Sequence, residues 1–222
     1  MRESIKQFVQ ICVEEFGASE PVFEFGSLQV PGQEGFADLR PFFRNMQYVG
    51  FDIREGPGVD VVLDLLDNNL PDESAGTVLI MDTLEHVEYP RQAIEEAFRI
   101  LRPNGLLLIS SVMNYVIHGY PNDYWRFTPE GFKSLLQQFP HSFVGFAGDA
   151  RFPHTVVGLG LKDRTIPMVG FQRRYESWKA QWRYFPFGRS WKTVAILLAP
   201  AILVDMYRKA RVPVQDGISP SR

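Results

Sequence analysis

Four acidic residues stand at or near the ends of short apolar runs, and they give the strongest chemical signal in the sequence. They are Glu24, Asp52, Asp64 and Asp82. Because the runs are bounded by turn residues and interleaved with helical patterns, we predict a mostly parallel sheet whose strand ends share one edge. Carboxylates at one edge repel each other, so packing explains them poorly. They predict a ligand that has many hydrogen-bond donors and a positive centre.

Two positions near this edge match the geometry of nucleotide-binding sheets. A glycine after the first strand, here Gly26, lets the backbone approach a ligand closely. An acid at the end of the next strand, here Asp52, can accept hydrogen bonds from both ribose hydroxyls. The alternative is that Gly26 starts a turn and Asp52 ends a strand without binding anything. Asp64 and Asp82 on the same edge favour the binding interpretation.

The elements that must position these residues follow from hydrophobic periodicity. We expect helices over 3–16, 35–44, 90–101 and 129–138, and strands over 21–25, 47–51, 59–63, 77–81, 106–112, 142–147 and 155–161. Too few residues separate the second and third strands for a crossover helix. The predicted fold class is α/β, a Rossmann-like, mostly parallel seven-stranded sheet with helices on both faces and a basic aromatic C-terminal arm.

Four segments of the sequence resemble motifs of class I S-adenosylmethionine-dependent methyltransferases, in the order of the predicted strands. They are Glu24-Phe-Gly26-Ser27, Tyr48-Val-Gly-Phe-Asp52, 78–87 and 97–105. The sequence is similar to the type 11 group, especially members associated with cell-surface glycan biosynthesis, which share a segment like 118–129. It departs from the usual Gly-x-Gly-x-Gly, which here is Gly26-Ser-Leu-Gln-Val. This departure puts the loop geometry and the cofactor affinity in question.

The resemblance implies S-adenosylmethionine as the cofactor and a role for each part of the acidic edge. Glu24 and Gly26 would lie against the methionine end, and Asp52 would hold the ribose. The turn after the third strand would address the adenine, and the end of the fourth strand would flank the bound cofactor. The implied cofactor-binding residues are Glu24, Gly26, Ser27, Asp52, Asp64, Leu65, Asp82 and Thr83.

A dense polar and aromatic segment, 114–127, follows the fifth strand, where this fold places its acceptor pocket. His118 is a candidate general base, and Asp123 is a second candidate catalytic residue. Aromatic faces suit sugars, and Asp and Arg suit hydroxyls or phosphates. The alternative is a packed lid in which Asp123 pairs with Arg126. The expected substrate contacts are Tyr120, Tyr124, Trp125, Arg126 and, from the loop near Asp82, His86.

We therefore expect a methyltransferase that uses S-adenosylmethionine, with O-methylation of a small or glycan-linked acceptor. Two alternatives stay open. One is a catalytically silent S-adenosylmethionine-binding module, for which the irregular glycine loop argues. The other is an NAD-dependent oxidoreductase, which is disfavoured because no Gly-x-Gly-x-x-Gly follows the first strand.

Charge divides the chain into parts of opposite sign. Residues 1–161 carry 11 Lys or Arg against 22 Asp or Glu, whereas residues 162–222 carry 12 against 4. We predict a methyltransferase domain over 1–162 and an arm over 163–222, extended to residue 190 and helical over 191–210. Its basic and aromatic side chains suit a membrane surface, self-association or packing on the acidic domain. Nucleic acid is an unlikely partner.

The remaining composition limits the chemistry and the compartment. The single cysteine excludes an intramolecular disulfide and a Cys-based zinc site, and we predict no metal site. The N-terminus has acids among its apolar residues and no small-residue cleavage pattern, so it does not resemble a signal peptide. We therefore expect a cytoplasmic protein, with peripheral association at the inner membrane face if the arm binds lipid.

Overall fold

The computed structural model describes residues 3–30, 35–118, 122–163 and 168–183. All of them belong to one compact unit, residues 1–185. The helix predicted over 191–210 lies outside these residues. None of the helices in the described part of the chain is long and apolar enough to cross a membrane.

The described residues form seven strands and four α-helices. The strands are β1 (Val22–Phe25), β2 (Tyr48–Asp52), β3 (Val61–Val62), β4 (Ala75–Met81), β5 (Leu101–Val112), β6 (His141–Asp149) and β7 (Phe152–Leu161). The helices are α1 (Glu3–Phe16), α2 (Pro90–Ile100), α3 (Pro129–Leu135) and α4 (Val169–Gln181). Short 3-10 turns cover Arg40–Phe43, Leu84–His86 and Leu136–Gln138.

One sheet holds all seven strands in the order β3-β2-β1-β4-β5-β7-β6. The pairs from β3 through β5 are parallel, whereas β7 runs antiparallel to both β5 and β6. The last two strands therefore form an antiparallel pair at one side of the sheet. The mostly parallel seven-stranded sheet is confirmed. The order of the strands reverses between β1 and β4, which is the place where open α/β sheets bind ligands.

Each face of the sheet packs against its own layer of helices. The alternation of side chains along a strand puts Val22 and Glu24 of β1 on one face and Phe23 and Phe25 on the other. Val22 belongs to the core under α1 and α4, and Phe23 and Phe25 belong to the core under α2 and α3. Helices on both faces are thus confirmed.

Three elements differ from their predicted extents. The helix predicted over 35–44 is a 3-10 turn of four residues, Arg40–Phe43, which has a proline in its first turn. The third strand is reduced to Val61–Val62 because it lies at the sheet edge, where both valines are exposed and pair with β2 alone. The fifth strand begins at Leu101, before Pro103, and passes an irregularity in its pairing with β4.

The beginning of the C-terminal arm is helical, so the prediction of an extended segment over 163–190 is wrong for Val169–Gln181. Phe171, Tyr175 and Trp178 are buried against the core under α1. Arg174 forms ion pairs with Glu14 and, at 3.2 Å, with Glu15. Opposite charges on α1 and α4 therefore assist the packing, as one of the alternatives for the arm supposed.

Among the residues of α4, Trp178 is the one whose replacement should destabilise the fold most. Its ring is 2% exposed, and its Nε1 donates a 2.7 Å hydrogen bond to the backbone oxygen of Ser4. We expect Trp178→Ala to lower the free energy of unfolding by about 3–5 kcal/mol, because it leaves a cavity and removes a buried hydrogen bond. Urea denaturation measures this. Val169→Ala on the same helix, where the side chain is exposed, is the control and should change little.

Candidate functional site

The four acids of the sequence pattern come together at one edge of the sheet. β3, β2, β1 and β4 are neighbouring parallel strands, so their carboxyl ends lie side by side. Asp52 is the last residue of β2, Asp82 directly follows β4, and Asp64 lies two residues beyond β3. Glu24 lies deeper, because it pairs with Gly50 and is followed by one more residue of β1. The edge is therefore acidic on four consecutive strands.

Asp52 has its carboxylate in position for a ligand. Its Oδ1 accepts a 3.0 Å hydrogen bond from the backbone N–H of Arg54 and lies 3.5 Å from the Arg54 side chain. Both contacts are to Oδ1, so within the described part of the chain Oδ2 is the oxygen left to accept ligand hydroxyls. The local turn thus fixes the orientation of the carboxylate that was predicted to hold the ribose.

Glu24 is a buried carboxyl with one strong partner. Its side chain accepts a 2.6 Å hydrogen bond from the hydroxyl of Tyr48 on the neighbouring strand. Burial raises the pKa of Glu24 to about 7, against the lowering effects of the Tyr48 hydrogen bond and of Arg40. Burial and Glu24 together raise the pKa of Tyr48 well above its usual range. Glu24 is therefore close to half-protonated at neutral pH.

Gly26 is required by its neighbour Thr83 as well as by its backbone conformation. It has a φ of +81°, and a Cβ at this position would lie 2.0 Å from Oγ1 of Thr83. That hydroxyl lies within hydrogen-bond distance of the backbone oxygens of Phe25, at 3.3 Å, and Met81, at 3.0 Å. Thr83 therefore ties the ends of β1 and β4 together, in space that glycine leaves open.

We expect Gly26→Ala to lower the free energy of unfolding by about 2–4 kcal/mol, the sum of left-handed strain and a clash with Thr83. Gly17→Ala is the matched control, since Gly17 also has a positive φ, +73°, but nothing lies within 4 Å of the added Cβ. It should cost about 1 kcal/mol. Equal losses in the two variants by urea denaturation would refute the role of Thr83.

The irregular glycine loop is held by the loop that follows β2. Ser27 is buried, and its hydroxyl donates to the backbone oxygen of Phe51 at 3.2 Å. A Cβ on Gly56 would lie 2.4 Å from Leu28 Cδ1, and one on Gly58 would lie 2.5 Å from the Ser27 oxygen. Leu28, which stands at the position of the usual second glycine, therefore packs over Gly56. The two loops interlock without the Gly-x-Gly-x-Gly pattern.

The residues predicted to contact adenine lie at the β3 end of the edge. Leu65 is 6% exposed and belongs to the core under α2, whereas Asp64 is exposed. The Asp64 carboxylate accepts a 2.9 Å hydrogen bond from the backbone N–H of Leu66, which stabilises this turn. At the other end of the edge, Asp82 has a φ of +47° and accepts a 3.2 Å hydrogen bond from the Ser110 hydroxyl.

Asp123 and Arg126 form an ion pair, as the packed-lid alternative supposed. The guanidinium donates to both carboxylate oxygens, at 2.5 and 2.7 Å. Arg126 also donates to the backbone oxygens of Tyr115 and Val116, so the pair holds the segment together. Arg126 keeps the pKa of Asp123 well below its usual range. Asp123 is therefore a weak proton acceptor, and its geometry suits a positioning residue.

His118 lies beside this pair and close to His86. Its Nδ1 lies 3.3 Å from Oδ2 of Asp123 and 3.1 Å from the Val116 oxygen. The rings of His118 and His86 meet edge to face, with centroids 4.9 Å apart. Burial lowers the pKa of His86. The structure thus brings together His118, Asp123, Arg126 and His86 from the predicted acceptor site.

Of the remaining residues predicted to contact the acceptor, two lie within the described part of the chain. Tyr124 and Trp125 are each 43% exposed, and the indole of Trp125 donates a 3.0 Å hydrogen bond to the Val87 oxygen. Tyr120 lies outside the described residues. His154 is buried and contacts Thr155 and the Trp182 oxygen, so its role is structural.

Two residues of the site escaped the sequence analysis. The first is Tyr48, which alternates along β2 with Gly50 and Asp52. Strand alternation alone therefore places all three on one face of the sheet, the face that also carries Glu24. Glu85 directly precedes His86 and is 1% exposed, and its carboxylate accepts a 2.7 Å hydrogen bond from the Ser111 hydroxyl. The signal for Glu85 was its position between an acid, Asp82, and a histidine in one short loop.

Fold and site together define an α/β protein with an acidic ligand site at the reversal point of its sheet, a class that includes S-adenosylmethionine-dependent methyltransferases. Residues 39–109 match the family described as methyltransferase domain. Comparison with curated protein sequences finds no match. The matched segment contains Asp52, Asp64 and Asp82, together with Thr83 and most of β5.

Solved structures share the fold at low sequence identity. A SAM-dependent methyltransferase from Archaeoglobus fulgidus superposes with a TM-score of 0.53 at 15% identity, over 71% of this chain and 94% of that one. The 1,6-didemethyltoxoflavin-N1-methyltransferase from Burkholderia thailandensis, solved with S-adenosylhomocysteine, superposes with a TM-score of 0.54 at 16% identity. This superposition covers 73% of this chain and 79% of that one. The chain therefore has the fold of S-adenosylmethionine-dependent methyltransferases.

Proposed function

We propose that this protein is a methyltransferase whose cofactor is S-adenosylmethionine and which methylates an oxygen of a small or glycan-linked acceptor. The observation that carries the proposal is the acidic edge at the reversal of strand order, with Asp52 oriented at the end of β2. The match of residues 39–109 to a methyltransferase domain supports it.

The residues at the edge fit this cofactor in charge and in hydrogen-bonding capacity. S-adenosylmethionine carries a sulfonium and an ammonium, so an edge with four acids attracts it. Asp52 Oδ2 can accept from the ribose, and Asp64 and Leu65 belong to the turn proposed to address the adenine. NAD fits less well, because its pyrophosphate needs a helix N-terminus directly after the first strand, and residues 26–30 form no helix.

When bound, S-adenosylmethionine supplies an electrophilic methyl group, and transfer forms an oxygen–carbon bond while the carbon–sulfur bond breaks. The protein must then orient the acceptor oxygen and assist the loss of its proton. His118 is the candidate for that activation, since Val116 and Asp123 hold its Nδ1 and leave Nε2 for the acceptor side. Asp123 and Arg126 position the segment.

Exposed aromatic side chains next to this segment support a sugar-containing acceptor. Tyr115, Tyr124 and Trp125 are each more than two-fifths exposed, and aromatic faces flank sugar rings well. The resemblance of the sequence to methyltransferases of glycan biosynthesis agrees with this. A membrane-linked acceptor would suit a cytoplasmic enzyme whose arm beyond residue 183 binds lipid surfaces.

Calorimetry with S-adenosylmethionine, S-adenosylhomocysteine and NAD tests the cofactor. We expect the first two to bind and NAD not to bind; the absence of binding by both would overturn the proposal. Transfer of a labelled methyl group to sugar-containing acceptors then tests the activity. Binding without transfer to any acceptor would favour the silent module, for which Leu28 at the second glycine position is the structural argument.

A further inference from the structure

Two histidines and a buried glutamate form a cluster at the acidic edge. Glu85, His86 and His118 each offer one ligand atom, and these atoms lie within 4.8 Å of one another. Glu85 and His86 belong to the 3-10 turn after β4, and His118 comes from the segment after β5. The fold therefore brings two imidazoles and a carboxylate together from separate parts of the chain.

The backbone fixes the tautomer of both histidines. Nδ1 of His86 lies 2.5 Å from the Asn122 oxygen, and Nδ1 of His118 lies 3.1 Å from the Val116 oxygen. A carbonyl oxygen can only accept, so each Nδ1 carries the proton and each Nε2 keeps its lone pair. Histidines that bind metals typically donate their other N–H to a carbonyl or carboxylate in this way.

The carboxylate of the cluster is also held in place. Glu85 is 1% exposed, and Ser111 donates a 2.7 Å hydrogen bond to its Oε2. Arg126 is near enough to interact with Glu85 electrostatically, and it also donates two short hydrogen bonds to Asp123. A buried carboxylate of this kind gains most from a cation that it contacts directly.

We propose that Glu85, His86 and His118 bind a divalent transition-metal ion. Two imidazoles and one carboxylate are the ligands of catalytic zinc and of non-haem iron sites, and three protein ligands leave coordination positions open. This proposal departs from the expectation from the sequence that the protein has no metal site. The sequence shows neither the burial of Glu85 nor its proximity to His118.

The metal deepens the proposed function and in this respect rests on it. An ion at this edge would bind the acceptor oxygen and lower the pKa of its hydroxyl, so that the proton could pass to solvent water without a strong protein base. His118 then activates the acceptor as a metal ligand, with Asp123 as the residue that positions its ring. This agrees with the weak basicity of Asp123.

Titration of the metal-stripped full-length protein with zinc chloride, in the absence of S-adenosylmethionine, tests the site. We expect one zinc per chain, and we expect His86→Ala, His118→Ala and Glu85→Gln each to weaken binding by about tenfold to a hundredfold. His141→Ala, at the start of β6, is the control and should bind zinc as the parent does. Circular dichroism identifies any variant that fails to fold. The His86 and His118 side chains are only half-buried, so their variants are expected to fold.

The outcomes separate the metal site from the methyltransferase proposal. Unchanged zinc binding in His86→Ala and His118→Ala, or an equal loss in His141→Ala, would overturn the metal site. Zinc binding that depends on the cluster in a protein without affinity for S-adenosylmethionine would support the site and sink the methyltransferase proposal. If the parent binds the cofactor but no zinc, the proposed function stands and the metal inference is wrong.

Discussion

Replacing Asp52 by asparagine should raise the dissociation constant for S-adenosylmethionine about a hundredfold. The carboxylate ends β2 at the point where strand order reverses, and Arg54 orients it through Oδ1. Hydrogen bonds to a charged group contribute about 1.5–3 kcal/mol each. An amide keeps one acceptor oxygen and loses the charge, so we expect a loss of about 3 kcal/mol, which is about two factors of ten. Calorimetry measures it.

The matched control for this variant is Asp67→Asn, which changes an exposed acid on the turn after β3. It should leave the dissociation constant within about twofold of the parent, because an exposed charge is screened by solvent. Urea denaturation of both variants checks that each stays folded. If Asp52→Asn binds the cofactor as tightly as Asp67→Asn does, the acidic edge is not the cofactor site.

The sheet could be predicted from the sequence because its strands are unusually apolar and their order is simple. All seven residues of β4 are buried, so its sequence is almost entirely apolar and is not mistaken for a loop. Helix α4 was missed although Phe171, Tyr175 and Trp178 have helical spacing. The basic residues between them suggested an exposed arm, and nothing in the sequence shows that their partner is α1.

The sequence predicts which edge of the sheet carries the candidate site, but it does not predict the side-chain contacts within that site. Strand ends and chain order place Asp52, Asp64 and Asp82 together without knowledge of any side chain. Whether a carboxylate is ionised depends on depth, and the depth of Glu24 follows from its register with Gly50. Likewise, the pairing of Asp123 with Arg126 was open from the sequence, because a segment of this composition can either pack on itself or bind a ligand.

Glu24 should make the protein less stable as the pH rises from about 4.5 to about 7. Burial raises the pKa of this carboxyl from 4.5 to about 7 in the folded state. Between these values the unfolded chain loses the proton while the folded protein keeps it, so the folded state binds more protons and stability falls with pH. The total loss is about 3 kcal/mol and is complete above pH 7. Urea denaturation across this range measures it.

Glu24→Gln removes the ionisation and should flatten this part of the stability curve, since Tyr48 can still donate to the amide oxygen. At pH 8 the variant should be more stable than the parent by up to about 3 kcal/mol. Glu95→Gln, on the exposed side of α2, is the control and should keep the dependence of stability on pH that the parent shows. Asp123 does not interfere, because its lowered pKa affects stability below pH 4, outside this window. His86, whose pKa is lowered from 6.5, contributes an opposite slope inside the window, but that slope is common to the parent and the variant and cancels in their difference. Parallel curves for Glu24→Gln and the parent would disprove the raised pKa.

The same ionisation links Glu24 to the cofactor. If its carboxylate contacts the ammonium of S-adenosylmethionine, directly or through water, binding favours the ionised form and expels a proton near pH 6.5. Calorimetry in buffers of different ionisation enthalpy should then show proton release for the parent and Glu95→Gln, and none for Glu24→Gln. Because Asp52 is proposed to hold the ribose and not the ammonium, Asp52→Asn should weaken binding while keeping the proton release. If proton release is lost in Asp52→Asn, or persists in Glu24→Gln, then Glu24 does not contact the methionine end of the cofactor.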